Sequence, residues 1–376
     1  MAYREYLFER EPFLPALDVE MRGRDDEWKR IEAFLEESFQ GNRTRAFLVL
    51  ADYGYGKTFI FNKIREKVSD PNSQIKGSDK TITASIVLAE TEPASSISYE
   101  YITNIMYNIG KKRIREISRK IPRRSLGDFS NNFRIVMKGV REGKDEAFKW
   151  LIGETLTSQE RSNIGVVRKF HPTESLRILL DFLKAMKKVG YENLLVLIDE
   201  FEYAINVYSE AKLTQFFHTF KNIYDHFVAE GGSRVFAKHI QIIATTPRGW
   251  DVVTDLEAKL RRTKGGGGLT PWLERMRFER NKVTLGPLSK KSAKQIILDR
   301  IEKERMKFAQ VEYKTFPFIH PSFFDEIIKV SRGNPRTILD FSEIVLEEGA
   351  RRKFKEIDGK VARKLLLEFG LVKELP

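Results

Sequence analysis

The chain predicts an α/β fold, with a parallel sheet sandwiched by helices, a helical insertion in the core and a C-terminal helical domain. Short apolar runs of strand length stand at 46–50, 82–89, 194–198 and 240–245. Those at 194–198 and 240–245 are nearly unbroken, as strands buried on both faces require. About a hundred residues between the second and third runs read mostly as helices, and from residue 288 onward the pattern is amphipathic helix throughout. The expected organisation is an aromatic arm over 1–20 that braces the core or a neighbour, an α/β core over 21–287 with its insertion at about 95–180, and a helical lid over 288–376.

Composition narrows the chemistry. At 376 residues the chain has room for one large domain and a smaller one. It has no cysteine, so disulfides, thiolate metal sites and thiol nucleophiles are excluded. Its five histidines share no metal-ligand spacing. No apolar run approaches the roughly 20 residues that span a bilayer, and the N-terminus is too charged for a signal peptide, so a soluble, cytoplasmic protein is expected. The charged fraction of 32%, rich in Lys, Arg and Glu, together with the lack of cysteine leans toward a thermophile's (or archaeal) composition. A net charge of +13 raises nucleic acid or another anionic surface as a partner.

The first element that carries chemistry is "LADYGYGKTFIF" (50–61), set between the apolar run 45–50 and a segment with Ile60, Phe61, Ile64 and Val68 at helical spacing. A glycine-rich turn between a strand and a helix N-terminus is the setting of a phosphate loop, because the helix's unpaired N–H groups and dipole face the anion. Gly54 and Gly56 let the backbone turn its amides inward, Lys57 reaches the β- and γ-phosphates, and Thr58 offers a hydroxyl to Mg²⁺. Asp52, Tyr53, Gly54, Tyr55, Gly56, Lys57, Thr58 and Phe59 form the candidate ATP-binding set. Ala51 stands where a first glycine is usual, and an alanine holds that place if φ stays negative.

The second is "NLLVLIDEFEYA" (193–204), a buried strand that delivers two carboxylates at its carboxyl end. Open parallel sheets bind ligands there. Asp199 would hold Mg²⁺ through water, and Glu200 would orient and activate the attacking water. The strand in "HIQIIATTPRGW" (239–250) ends in hydroxyls, and Thr245 or Thr246 would bond the attacking water or the γ-phosphate. In "SRGNPRTILDF" (331–341), Asn334 or Gly333 stands near a helix cap, Pro335 falls in the first turn and Arg336 follows, aimed at the nucleotide from the helical domain.

The charge is unevenly spread. "KKRIREISRKIPRR" (111–124) holds eight basic residues (Lys111, Lys112, Arg113, Arg115, Arg119, Lys120, Arg123 and Arg124) against one Glu, a net +7 of the chain's +13. Ile114, Ile117 and Ile121 fall at helical spacing, leaving the cations a solvent face suited to phosphates rather than base edges. A second cluster, Lys259, Arg261, Arg262 and Lys264, adjoins the glycine tract 265–268 and is either a DNA-contacting loop or a solvated linker. There is no internal repeat.

The phosphate loop, acidic strand, hydroxyl-ending strand and lid arginine, in that order over roughly residues 20–355, resemble the AAA+ ATPases of the origin-recognition-initiator group. The stretches "AFKWLIGETLTSQERSNIGV" (147–166) and "LLDFLKAMKKVGYENLLVLIDEFEYA" (179–204) are similar to the ATP-binding proteins of BREX phage-exclusion loci. The resemblance implies Arg22 to Arg24 near the adenine, Thr245 and Arg336 as sensors, and a trans-acting arginine in "LTPWLERMRFERNKVTLGPLS" (269–289), with Arg275 and Arg277 ahead of Arg280. An arginine serving a neighbour's ATP implies head-to-tail homo-oligomers. The leading expectation is a Mg²⁺-dependent ATPase that assembles on nucleic acid, double-stranded DNA favoured, alongside partner proteins of a defence or replication system. The alternative is an ATP-switched scaffold with little hydrolysis, and a helicase-type motor ranks last.

Overall fold

The computed structural model describes residues 2–13, 20–89, 96–264, 269–307, 309–310 and 313–373. They divide into two compact units. One comprises residues 30–51 and 57–284, and the other residues 1–29, 52–56 and 285–376.

The first is the sheet unit. After α1 (Asp25–Gln40), whose Ile31, Phe34, Leu35 and Phe39 are buried, the chain enters β1 (Arg45–Ala51) and later α2 (Lys57–Ser69). The face of α2 carrying Ile60, Phe61, Ile64 and Val68 is buried, as the helical spacing predicts. β2 (Thr81–Val87) alternates buried and half-buried residues, whereas β3 (Asn193–Asp199) and β4 (Lys238–Thr245) are buried at every position. The strand order explains this difference. The five-stranded sheet runs β2-β3-β4-β1-β5, with β5 at Lys282–Leu285, so β2 is an edge and β3 and β4 are interior. The pairs β2–β3, β3–β4 and β1–β4 are parallel, with Leu50 opposite Thr245 and Val87 opposite Asp199.

The order has one consequence for chemistry. β4 lies between β1 and β3, so the carboxyl ends of all three strands open on one edge of the sheet.

The insertion is helical: α3 (Ile97–Lys120), α4 (Asn131–Glu142), α5 (Asp145–Leu151), α6 (Ser158–Ile164) and α7 (Ser175–Lys188). α3 bends at Gly110, and beyond the bend Ile114 and Ile117 are wholly buried with Ile121 just past the helix end. After β3 come α8 (Glu202–Val207) and α9 (Glu210–Ala229), and after β4 come α10 (Pro247–Lys264) and α11 (Leu269–Met276). Aromatic rings from α3, α9 and α11 pack edge-on and tilted around Tyr101, Phe216, Phe220 and Trp272.

The helical unit holds α12 (Lys290–Glu304), α13 (Ser322–Ser331), α14 (Pro335–Arg351) and α15 (Gly359–Glu368). Three of the four begin with a side-chain cap: Ser289 accepts from Ser292 N, Asn334 from Thr337 N, and Asp358 from Val361 N. From the described part of the aromatic arm, Phe8 and Phe13 are buried in one core of this unit with Ile297, Ile301, Phe318 and Phe323. Among the described residues no helix is long and apolar enough to cross a membrane.

Candidate nucleotide-binding site

In the sheet unit, side chains from three separate segments meet at the carboxyl edge of the strands. Lys57 opens α2 and is buried, and its Nζ donates to the carbonyl of Ala51 at 2.8 Å. The next residue, Thr58, donates its hydroxyl to Asp199 Oδ2 at 2.8 Å. Asp199 ends β3, and its other oxygen accepts the backbone N–H of Glu200 at 3.0 Å. Burial pushes the Asp199 carboxyl above its ordinary value, against the pull of the Thr58 and Glu200 hydrogen bonds. Glu200 is also pushed up, first by burial and then by the charge of Asp199. Its backbone stands at φ +49°, the left-handed region that a residue with a Cβ enters only at a cost of about 1–2 kcal/mol.

β4 brings Thr245 beside them. Its side chain is wholly buried, and its Oγ1 makes no hydrogen bond among the described residues. Thr246 accepts the N–H of Gly249 at 3.0 Å. Gly249 is needed for its size: a Cβ there would lie 2.7 Å from Thr245 Oγ1 and 3.3 Å from the Cβ of Glu202. Glu202, in the first turn of α8, is buried with Oε1 3.3 Å from Lys57 Nζ. The sequence does not single out Glu202 or Gly249, and the signals it offers for them are a third carboxylate three residues after Asp199 and a glycine three residues after the paired threonines.

Residues 52–56 of the loop belong to the helical unit, where they contact the start of α14. Arg336 N donates to Gly54 O at 3.2 Å, and Asn334 Nδ2 donates to Tyr53 O at 2.9 Å. Gly54 stands at φ +83°, and a Cβ on it would come within 2.6 Å of Asn334 Oδ1 and 3.0 Å of Arg336 Cβ. Only glycine fits that approach. The Arg336 side chain is 76% exposed, with Asp340 at 3.9 Å. Arg24 is buried and donates to Gly286 O at 2.6 Å and Tyr55 O at 3.4 Å, while Arg22 pairs with Asp299 at 2.7 Å. Tyr53 is 61% exposed, and Asp52 is exposed as well. Tyr55, Gly56 and Phe59 are half-buried.

The arginines suggested for trans action differ in their surroundings. Arg275 Nη1 lies 3.3 Å from Asp225 Oδ1, and its guanidinium stands over the Tyr224 ring. Arg277 is exposed, has φ +53° and lines a cleft of about 750 Å³ with Trp250, Arg280 and Lys282.

On the basic segment, Lys112, Arg119, Lys120 and Arg124 are exposed and have no ion-pair partner among the described residues. Lys111 pairs with Asp145, and Arg113 pairs with Glu116 and donates to Tyr191 Oη at 3.0 Å. Arg115 packs against Gly143. In the second cluster two of the four cations are paired, Arg261 with Glu257 and Glu274 and Lys259 with Glu210 at 2.6 Å, while Arg262 is exposed. The side chains of Arg123 and Lys264 and the glycine tract 265–268 lie outside the described residues.

The residues present fit a nucleoside triphosphate with Mg²⁺. Mg²⁺ is commonly held by one or two protein oxygens together with phosphates, and the Thr58 and Asp199 oxygens form such a pair. The unsatisfied hydroxyl of Thr245 is a further polar group at that edge.

The fold and the family of the chain are shared with known proteins. The chain is similar in fold to the ORC2 protein of Aeropyrum pernix, solved in ADPNP-ADP complexes, at 13% identity and a TM-score of 0.55, covering 98% of this chain and 74% of that one. It is similar too to CDC6P of Pyrobaculum aerophilum, at 14% identity and a TM-score of 0.53, covering 95% and 70%. At such identities the likeness shows a shared fold, that of the AAA+ proteins. No curated protein sequence matches the chain. Residues 110–311, more than half of its length, match the family described as BREX system ATP-binding protein BrxC/D, taking in the helical insertion from the bend in α3 onward, the acidic strand and the hydroxyl-ending strand. The chain belongs to that family.

Proposed function

We propose that this AAA+ protein binds and hydrolyses ATP and uses the cycle to assemble on and leave double-stranded DNA. The observation that carries the reading is the convergence of Lys57, Thr58 and Asp199, with a 2.8 Å bond between the last two, at the sheet edge where parallel sheets bind ligands. Thr58 and Asp199 would hold Mg²⁺, which when bound neutralises charge on the phosphates. Lys57 contacts the terminal phosphates, Gly54 and Gly56 turn loop amides toward them, and Thr245 and Arg336 act as the two sensors. Glu200 takes the proton of the attacking water. Its raised pKa brings it closer to the operating pH, which favours a general base.

For DNA, the unpartnered cations Lys112, Arg119, Lys120 and Arg124 form the contact, because only cations not already paired gain fully by neutralising phosphate. The test is ATP turnover by the parent and by Glu200→Gln, with and without double-stranded DNA across a salt series. The expected result is DNA-stimulated turnover that weakens with salt, and a Glu200→Gln variant that retains ATP and stays assembled with turnover lowered by about 100-fold or more. An ATP-switched scaffold would instead show slow turnover in the parent and little change in the variant.

A further inference from the structure

Among the acceptors that hold Lys57 is a buried charge. The Ala51 carbonyl accepts from Nζ at 2.8 Å, and Glu202 Oε1 lies 3.3 Å from the same nitrogen. Glu202 is 2% exposed, and neither of its oxygens accepts a hydrogen bond among the described residues, so Lys57 is the cation that balances it there. A carboxylate taken out of water without hydrogen bonds depends on its counter-charge. Its place is set by two features: the first turn of α8, three residues beyond Asp199, and Gly249, whose missing Cβ leaves room beside the Glu202 Cβ.

We infer that Glu202 is a positioning residue that competes with the phosphates of the nucleotide for the ammonium of Lys57, so that ATP binding is coupled to a charge exchange at Lys57. This inference rests on the ATP reading above. A phosphate oxygen recruits Lys57 at the expense of its contact with Glu202. Part of the phosphate's attraction is therefore spent on separating a buried pair, and the protein binds ATP more weakly than its phosphate loop would allow without the carboxylate. The neutral isostere removes the competition while keeping shape and polarity. The effect has a sign that a structural role would not produce: loss of a merely structural side chain weakens binding, whereas loss of this charge strengthens it.

The experiment is calorimetric titration of the full-length parent, Glu202→Gln and Glu202→Asp with ATP and with adenosine. Adenosine, with no phosphate, does not reach Lys57. The expected outcome is ATP affinity about tenfold higher in Glu202→Gln, with adenosine affinity unchanged. Glu202→Asp, whose charge is drawn back by one methylene, falls between parent and Gln, and this comparison remains decisive even if Glu202→Gln does not fold. ATP affinity in Glu202→Gln or Glu202→Asp equal to or below that of the parent overturns the inference while leaving the ATP reading in place. A parent that ignores ATP, and behaves like Lys57→Ala, removes the ATP reading and this inference together.

Discussion

Glu11 is where pH acts on a single side chain. Its carboxyl is buried in the helical unit with one oxygen accepting Phe13 N at 3.1 Å, and burial, reinforced by Glu343 and Glu347, raises its pKa from 4.5 to about 7. The folded chain thus keeps a proton that the unfolded chain releases. The associated stability is complete below about 4.5 and is lost as pH rises through about 7. Glu11→Gln should therefore reduce the drop in Tm between about pH 5 and about pH 8, and identical slopes in parent and variant would exclude a protonated Glu11. Residues of this kind differ in how legible they are. Lys57, Thr58 and Asp199 could be read from spacing and strand context, because a phosphate loop and a buried acidic strand each confine chemistry to one position. Glu202 is less legible: its one signal is a third carboxylate three residues after Asp199, and in a chain with 53 acidic residues a further Glu after a strand reads as a solvated side chain.

At the level of the element, α3 and the turn after it form the DNA-binding proposal. Composition shows the basic run, and periodicity shows which face Ile114, Ile117 and Ile121 bury. Only folding shows which cations are spoken for: Asp145 comes from α5 and Tyr191 from the turn before β3, both distant in the chain. Four unpartnered cations should give a slope of log K on log salt of about −3.6 for duplex DNA. Replacing Arg119, Lys120 and Arg124 together by Ala should flatten it by about 2.7 and weaken binding, with ATP turnover in the absence of DNA unchanged. An unaltered slope, measured by fluorescence anisotropy, would assign the face to another partner. β5 is not legible in the sequence, because four residues alternating between exposed and buried carry too little pattern to separate an edge strand from a loop.

Arg277 is exposed, while Arg275 is engaged by Asp225 and Tyr224, so Arg277 is the stronger candidate to serve a neighbouring subunit. Arg277→Ala should lower turnover by about 10³-fold with ATP binding retained. Mixed with Lys57→Ala, which keeps the arginine and lacks the nucleotide contact, it should recover part of the activity, because mixed contacts join an intact loop to an intact arginine. Turnover per subunit in the parent should also rise with protein concentration. Failure of the mixture to recover any activity would place the arginine in cis or assign the role to another side chain.

Sequence alone determined the α/β class, the phosphate loop, the acidic strand and the location of the basic segment. Those properties follow from local periodicity and from motifs whose chemistry tolerates few residue types. Tertiary structure alone decided that β4 separates β1 from β3, so that Thr245 joins Lys57 and Asp199, and that Glu202 is buried against Lys57. It also decided which cations are left without a partner. Strand order and ion pairing depend on contacts between segments far apart in the chain, and no local pattern encodes them.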